Sequence, residues 1–276
     1  MTLVRSLVAT QAAMLFGSGA ALAQSDREPW QLGMVPAQSP TMESLSSLHD
    51  LLLWICILIS LFVLALLAYA CVRFRASRNP TPSRRTHNPV LEIAWTAIPV
   101  LILVVIAIPS FKLLYYMDTA ANPEMTLKAI GRQWYWSYEY PDHGNFTFDA
   151  YMIADADLQE GQPRLLATDN HVVVPAETDI RLLTTASDVL HSWAMPVAGI
   201  KMDAVPGRIN ETWFRMEEPG IYYGQCSELC GSYHGFMPIT LEVLPKDEFE
   251  AWVKQAQEQF AKAGEPDTQV ARAHGE

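Results

Sequence analysis

The sequence is poor in charge, in basic residues and in cysteine, and each shortage excludes a class of protein. Only 18% of its 276 residues are charged, whereas soluble domains usually carry about a quarter. Lysine and arginine (19) are outnumbered by aspartate and glutamate (30), and the net charge of -11 argues against nucleic acid binding, since a polyanion requires basic groups. Only two of the four cysteines lie in the polar half of the chain, too few for a disulfide framework. No Cys-x-x-Cys-His occurs, so no c-type heme is fused to the chain.

The first residues have the pattern of a secretory signal. Arg5 precedes a short apolar stretch, and Ala21-Leu22-Ala23 places small residues where a signal peptidase needs them. We predict a signal peptide over 1–23, with an uncleaved anchor as the alternative. A periplasmic linker without regular structure, rich in Pro, Ser and Gln, is expected over 24–47.

Two long uncharged runs predict membrane-spanning helices. The runs Leu51–Val72 and Ile93–Phe111 contain no charged residue. Each is close to the ~20 residues that a helix needs to cross the hydrocarbon of a bilayer. Only a helix satisfies its own backbone polar groups in that setting. We therefore predict transmembrane helices over 48–73 and 91–117.

The connection between the two runs indicates the orientation of the hairpin. From the end of the first run to Glu92 the chain holds five arginines and no acid: Arg73, Arg75, Arg78, Arg84 and Arg85. Positive charge is retained in the cytoplasm, so the loop 74–90 is predicted to be cytoplasmic and both ends of the hairpin periplasmic. The signal peptide predicts the same orientation independently.

Beyond the second run the chain changes to short segments in which apolar and polar residues alternate. Segments such as IRLLTTAS and PITLEVL have this pattern, and Gly and Pro separate several of them. Many short strands predict a sandwich or Greek-key barrel over 118–244. Pro245 introduces an amphipathic helix, and a disordered tail is expected at the end of 245–276. The predicted fold class is an α+β membrane protein with a two-helix hairpin followed by an all-β domain.

One short segment concentrates soft metal ligands. The spacing Cys-x3-Cys-x3-His-x2-Met places Cys226, Cys230, His234 and Met237 within twelve residues. Thiolates and thioethers favour copper over magnesium or calcium. A mononuclear blue-copper site uses one thiolate, so the second cysteine favours two metal ions bridged by two thiolates. The second histidine that this arrangement needs is best supplied by His191, which lies between two predicted strands.

Two other interpretations of the segment remain open at this level. Close cysteines in an exported domain often form a disulfide, here Cys226–Cys230. Two Cys and two His also make a zinc site, although zinc has no use for the methionine.

With these motifs the sequence resembles cytochrome c oxidase subunit II of the heme–copper oxidases, over nearly its full length. The segments that carry the resemblance are LEIAWTAIP, GRQWYWSYEY, DVLHSWAMP, KMDAVPGR and GQCSELCGSYHGFMP. The resemblance implies a cupredoxin β-barrel with a dinuclear copper centre, CuA, in which both thiolates bridge both copper ions. It further implies that His191 and Met237 complete one copper, and that His234 and the Glu228 carbonyl oxygen complete the other. The Glu228 carboxylate is expected to bind a magnesium ion shared with subunit I.

The resemblance also implies roles for residues outside the metal segment. Trp134 is expected to receive electrons from cytochrome c, unless it simply fills the core. Glu139, Asp169 and Asp188 are expected to dock the lysine-rich cytochrome c by opposite charge, although each is also an ordinary surface acid. Glu92 is expected at the mouth of a proton path into subunit I, with plain interfacial polarity as its alternative.

The predicted function is therefore an electron relay in a proton-translocating oxidase of a bacterial inner membrane, with two copper ions and a shared magnesium ion. Cytochrome c, subunit I with other oxidase subunits, and the bilayer are the predicted partners. A quinol oxidase subunit would lack the copper ligands that are present here. A membrane-tethered copper electron carrier or copper chaperone is the alternative function.

Overall fold

The computed structural model describes residues 30–118 and 122–261. The predicted signal peptide, 1–23, and the predicted tail after residue 261 lie outside the described residues. Between those limits the chain forms two long helices, ten strands and a third helix.

The two long helices, α1 (Pro40–Arg73) and α2 (Pro89–Asp118), are long and apolar enough to cross a membrane. Exposed leucine, isoleucine, valine and phenylalanine side chains cover both of them. Such surfaces are stable against lipid tails and unstable against water. The two helices match the two uncharged runs that predicted them.

Helix α1 begins earlier than the sequence pattern predicted. The Ser39 side chain accepts a hydrogen bond from the Met42 amide at 2.9 Å, Pro40 opens the helix, and Glu43 lies in its first turn. Serine caps, proline at the first position and an early acid each favour a helix start. The prediction of an unstructured linker over 24–47 is therefore wrong from Pro40 onward.

The strands follow α2 and form three sheets. Their bounds are β1 Met125–Arg132, β2 Tyr135–Tyr140, β3 Phe146–Ala150, β4 Val172–Pro175, β5 Ile180–Ala186, β6 His191–Met195, β7 Ile200–Ala204, β8 Asn210–Phe214, β9 Gly220–Gln225 and β10 Pro238–Leu244. The sheet orders are β3-β2-β1-β5-β8, β4-β10-β9 and β6-β7. The predicted class, an apolar hairpin followed by an all-β domain, is confirmed. Strand pairing within the described residues leaves three open sheets rather than one closed barrel.

The third helix, α3 (Lys246–Ala261), covers an aromatic part of the core. Trp252 lies 5.4 Å from the Tyr140 ring and 5.8 Å from the Phe146 ring, measured between ring centroids. Phe260 stacks on Phe148 at 4.7 Å. Aromatic contacts of this kind contribute ~0.5–1.5 kcal/mol each beyond the area they bury. The predicted amphipathic helix thus packs on the β domain.

Both membrane helices are fastened to the β domain at the same end of the hairpin. Before α1, the Gln38 amide donates a hydrogen bond to the Val197 carbonyl at 3.0 Å. At the end of α2, the Trp213 indole donates to the Tyr116 carbonyl at 2.7 Å. These bonds hold the β domain against the end of the hairpin that lies opposite the arginine-rich loop.

Candidate metal centre

Two buried thiols lie side by side next to β9 and β10. Cys226 and Cys230 are both free, and their sulfur atoms lie 4.0 Å apart. This separation is about twice the ~2.05 Å of a disulfide bond. Two sulfur ligands about 2.3 Å from a shared metal ion lie roughly 3.5–4 Å apart. The sulfur atoms are therefore spaced as metal ligands rather than as disulfide partners.

The other predicted ligand atoms surround this pair of sulfur atoms. His191 Nδ1 lies 3.9 Å and the Glu228 carbonyl oxygen 3.4 Å from the Cys226 sulfur. His234 Nδ1 and the Met237 sulfur each lie 3.5 Å from the Cys230 sulfur. The structure thus brings together every donor that the sequence analysis named for the dinuclear site.

The fold fixes the loop that carries most of these donors. It joins β9 to β10, which pair antiparallel, and it is closed by a hydrogen bond from the Cys226 amide to the Met237 carbonyl at 3.4 Å. His191 enters from β6, where the Ser227 amide donates to the Ser192 carbonyl at 3.0 Å. Strands therefore hold both ends of the loop and the histidine.

A glycine in β1 makes room for the buried histidine ring. A Cβ atom on Gly131 would lie 2.7 Å from ring atoms of His191, a distance that real Cβ atoms do not show. The Trp136 ring contacts the imidazole edge-on, with the ring centroids 6.0 Å apart. Gly131 was not predicted from the sequence to have a role, and its place beside two tryptophans was the only available signal.

The pKa values of the two thiols are shifted in opposite directions. Burial alone would raise the pKa of Cys226, but hydrogen bonds with His191 and with the backbone at Glu228 and Ser192 lower it. Burial and the adjacent Cys226 raise the pKa of Cys230 to about 12. A second thiolate is therefore unfavourable beside the first unless cations balance both. This charge requirement fits metal ions that both sulfur atoms share.

The chemistry of the donor set fits copper better than zinc. A tetrahedral zinc site built from two Cys and two His leaves the thioether unused. Here the Met237 sulfur is buried and directed at the Cys230 sulfur. Two thiolates, two imidazoles, a thioether and a carbonyl form a soft set that suits copper.

The aromatic residues after β1 have different surroundings. The Trp134 indole donates a hydrogen bond to the Cys230 carbonyl at 3.2 Å, and its ring contacts Tyr233 at 5.0 Å, so this half-buried residue joins the surface to the ligand loop. Tyr135 stacks on Tyr151 at 4.4 Å. Trp136 is fully buried against the histidine ligand.

The three predicted docking acids do not share one environment. Asp188 accepts hydrogen bonds from the Gln133 and Val189 amides, both at 2.7 Å, and its other contact is His191. Burial would raise the pKa of Asp188, but these hydrogen bonds lower it. Burial would likewise lower the pKa of His191, and its hydrogen bonds with Cys226 and Asp188 raise it instead.

The other two acids lie on the neighbouring sheet. Asp169 is exposed and accepts from the Tyr151 amide at 2.7 Å, beside the Tyr135 ring. Glu139 lies five residues along β2 from Trp134, about 17 Å away in an extended strand, and forms an ion pair with Lys128 at 2.5 Å. Asp169 therefore lies closer to the surface around Trp134 than Glu139 does.

Glu92 lies at the opposite end of the hairpin from the metal donors. It is in the first turn of α2, where its carboxylate accepts a hydrogen bond from the Asn88 amide at 3.2 Å. Along the helix axis it is about 36 Å from Tyr116, which borders the β domain. A capping role is thus visible for Glu92, and its role in a proton path stays a prediction.

Comparison with known families identifies both halves of the chain. The periplasmic domain of cytochrome C oxidase subunit II matches residues 125–244, and the transmembrane domain of the same subunit matches residues 27–113. The first match contains all the metal donors described above.

Individual relatives agree with these matches. A probable cytochrome c oxidase subunit 2 of Rickettsia bellii is 52% identical over 229 residues, covering 83% of this chain and 85% of the relative. Cytochrome c oxidase subunit 2 of Oenothera berteroana is 51% identical over 232 residues, covering 82% and 90%. The crystal structure of the periplasmic domain of subunit II of cytochrome oxidase of Bradyrhizobium japonicum is 50% identical, with a TM-score of 0.48, and covers 51% of this chain and 99% of that one.

Proposed function

This chain belongs to the cytochrome c oxidase subunit II family, and we propose that it accepts electrons from cytochrome c and delivers them to the oxygen-reducing subunit of a heme–copper oxidase. The observation that carries the proposal is the convergence of both thiols, both imidazoles, the thioether and the Glu228 carbonyl around one buried point. A copper pair held there would supply one-electron redox chemistry, while the protein orients the ligands.

The protein contributes a rigid set of ligands. The loop between β9 and β10 supplies Cys226, Cys230, His234 and Met237, and β6 supplies His191. The carbonyl of Glu228 is directed at the Cys226 sulfur while the residue itself is exposed. Its carboxylate is thus free to bind a magnesium ion together with subunit I, since the two roles use different atoms.

The surface around Trp134 is proposed to receive cytochrome c. Leu229, Tyr233 and Phe236 expose apolar side chains on the ligand loop beside it, which is typical of a protein-binding surface. The acidic balance of the chain steers a basic partner to this end of the molecule. The hydrogen bond from Trp134 to the Cys230 carbonyl then gives a short route from the docked partner to the ligands.

The membrane hairpin is proposed to hold the β domain on the periplasmic face of a bacterial inner membrane. Five arginines lie in or beside the loop at the far end of the helices, as a cytoplasmic loop requires. Glu92 lies at that same end, where a proton path that begins in the cytoplasm would open. The signal peptide over 1–23 belongs to the same proposal.

The substitution Trp134→Phe tests the proposed route. We expect the rate of electron transfer from reduced cytochrome c in the assembled oxidase to fall by about tenfold or more, equivalent to about 1.4 kcal/mol in the barrier. The reason is that phenylalanine removes the indole hydrogen bond and part of the ring contact. Single-turnover stopped-flow absorbance measures the rate, and metal analysis is expected to find the copper content unchanged.

Trp252→Phe is the matched control, because this tryptophan packs under α3 and contacts no metal donor. It is expected to transfer electrons at the rate of the unmodified protein. Loss of copper from the Trp134→Phe protein would contradict the proposed role and make Trp134 a structural residue.

A further inference from the structure

We propose that Gln133 and Asp188 form a bracket that positions the metal ligands, in which Asp188 orients His191 and Gln133 holds the carbonyl of Cys230. Neither residue is a ligand, and the inference rests on the proposed function of the site. The bracket spans the two parts of the chain that supply donors, β6 and the loop between β9 and β10.

The Asp188 half of the bracket fixes the histidine ring. Its Oδ1 atom lies 2.9 Å from His191 Nε2, and His191 is fully buried. An Nε2–H that donates to a carboxylate leaves Nδ1 as the free lone pair, and Nδ1 is the nitrogen that faces the Cys226 sulfur. A carboxylate behind a histidine ligand sets the ring orientation and strengthens the ligand.

The carboxylate is itself held in place by the backbone. Oδ2 accepts the Gln133 amide at 2.7 Å, and Oδ1 accepts the Val189 amide at 2.7 Å. Both oxygen atoms are thus engaged by groups of the protein. A carboxylate that only steers a partner by its charge needs no such contacts.

The Gln133 half of the bracket reaches the ligand loop. Its side-chain amide donates to the Cys230 carbonyl at 2.8 Å, and the same carbonyl accepts the Trp134 indole. Gly231, the next residue, has a positive φ of 120° and packs under the side chains of Gln133 and Trp134. The turn after β1 therefore packs against the ligand loop at Cys230 and Gly231.

Gln133 consequently contacts both halves of the bracket. Its backbone amide donates to Asp188, which orients His191, and its side chain donates to the carbonyl of Cys230. Loss of the Asp188 contact is expected to let the His191 ring move, and loss of the Gln133 contact is expected to let the ligand loop move at Cys230. Residues that act as a unit show effects that do not add. The losses of copper affinity caused by substituting Gln133 and Asp188 are therefore expected not to add.

The test uses the full chain in detergent with three variants: Gln133→Met, Asp188→Asn and the double variant. Methionine keeps the length of glutamine and removes its donor, whereas asparagine keeps the shape of aspartate and replaces one acceptor by a donor. Each single variant is expected to bind copper about 10–100-fold more weakly in competition with a chelator, with altered copper hyperfine splitting in EPR. Independent effects would multiply the two single-variant losses of copper affinity. The double variant is expected to lose much less affinity than that product.

Gln257→Met is the matched control, since that side chain donates to the His143 carbonyl far from the donors. It is expected to leave copper affinity and the EPR spectrum unchanged. Gln133→Glu is a second variant of nearly identical shape, in which an acceptor faces the Cys230 carbonyl. It is expected to lower copper affinity at least as much as Gln133→Met, so the Gln133 half of the test survives poor folding of Gln133→Met.

Unchanged copper affinity and EPR spectra in folded variants, with only weaker binding of cytochrome c, would overturn the bracket and assign these residues to docking. Additive effects in the double variant would also overturn it. Failure of the unmodified chain to bind a copper pair would instead refute the proposed function, so the two failures are distinguishable.

Discussion

The Cys230→Ser protein is expected to lose the purple absorption of the copper pair and to slow the oxidation of cytochrome c by more than about 100-fold, beyond the usual effect of residues behind the ligands. The Cys230 sulfur lies within 4.0 Å of the Cys226 sulfur, the His234 nitrogen and the Met237 sulfur, so it is shared by both halves of the site. A serine hydroxyl is a hard donor that stays protonated, and it does not bridge two copper ions. Metal analysis is expected to find at most one copper per chain.

Cys71→Ser provides the matched control, because Cys71 is exposed on α1, at the end of the helix remote from the β domain. Its copper content and turnover are expected to equal those of the unmodified protein. Circular dichroism separates loss of the metal from loss of the fold. A normal spectrum and normal turnover in a folded Cys230→Ser protein would show that this thiol is not a ligand.

Removal of copper by a chelator is expected to lower the unfolding midpoint of the β domain by about 10–20 °C. A ligand present at 100–1,000 times its Kd stabilises the folded state by about 2.7–4.1 kcal/mol. For a domain of this size, each kcal/mol shifts the midpoint by roughly 3–5 °C. The donors come from β6 and from the loop between β9 and β10, so only the folded chain brings them together to bind copper. Calorimetry of the full chain in detergent, with and without copper, measures the shift.

The Cys230→Ser protein controls for copper bound elsewhere, and its midpoint is expected to respond little to added copper. Equal midpoints for the copper-loaded and metal-free forms of the unmodified chain would show that the donors do not hold metal together across the fold.

The membrane hairpin was predictable because a bilayer imposes a simple composition rule. Runs without charge, bracketed by Asp50 and Arg73 or by Glu92 and Lys112, are visible without any tertiary information. The early start of α1 was missed because a run of hydrophobic residues marks only the buried length of a helix. The cap at Ser39 extends it to the β domain, where Ser39 and Met42 are buried.

The metal donors were predictable to different degrees. The loop donors are close in sequence, so their spacing alone indicated a soft metal site. His191 lies 35 residues before Cys226, and it was found from its position between strands and from the resemblance. No local pattern distinguishes Gly131, whose role arises only because a distant ring packs on it.

Asp188 shows why surface acids are hard to interpret from a sequence. The resemblance implied that it docks a basic partner, and that role stays a prediction. In the structure the carboxylate faces His191 and two backbone amides. These contacts depend on the tertiary fold, and composition does not encode them.

The most direct test supplies copper to the purified full chain in detergent, counts the metal ions and records an EPR spectrum. We predict two copper ions per chain that share one unpaired electron between them, with both cysteines of the ligand loop free of any disulfide. A chain that stays metal-free, that binds a single isolated copper ion, or that has Cys226 joined covalently to Cys230 would contradict the account.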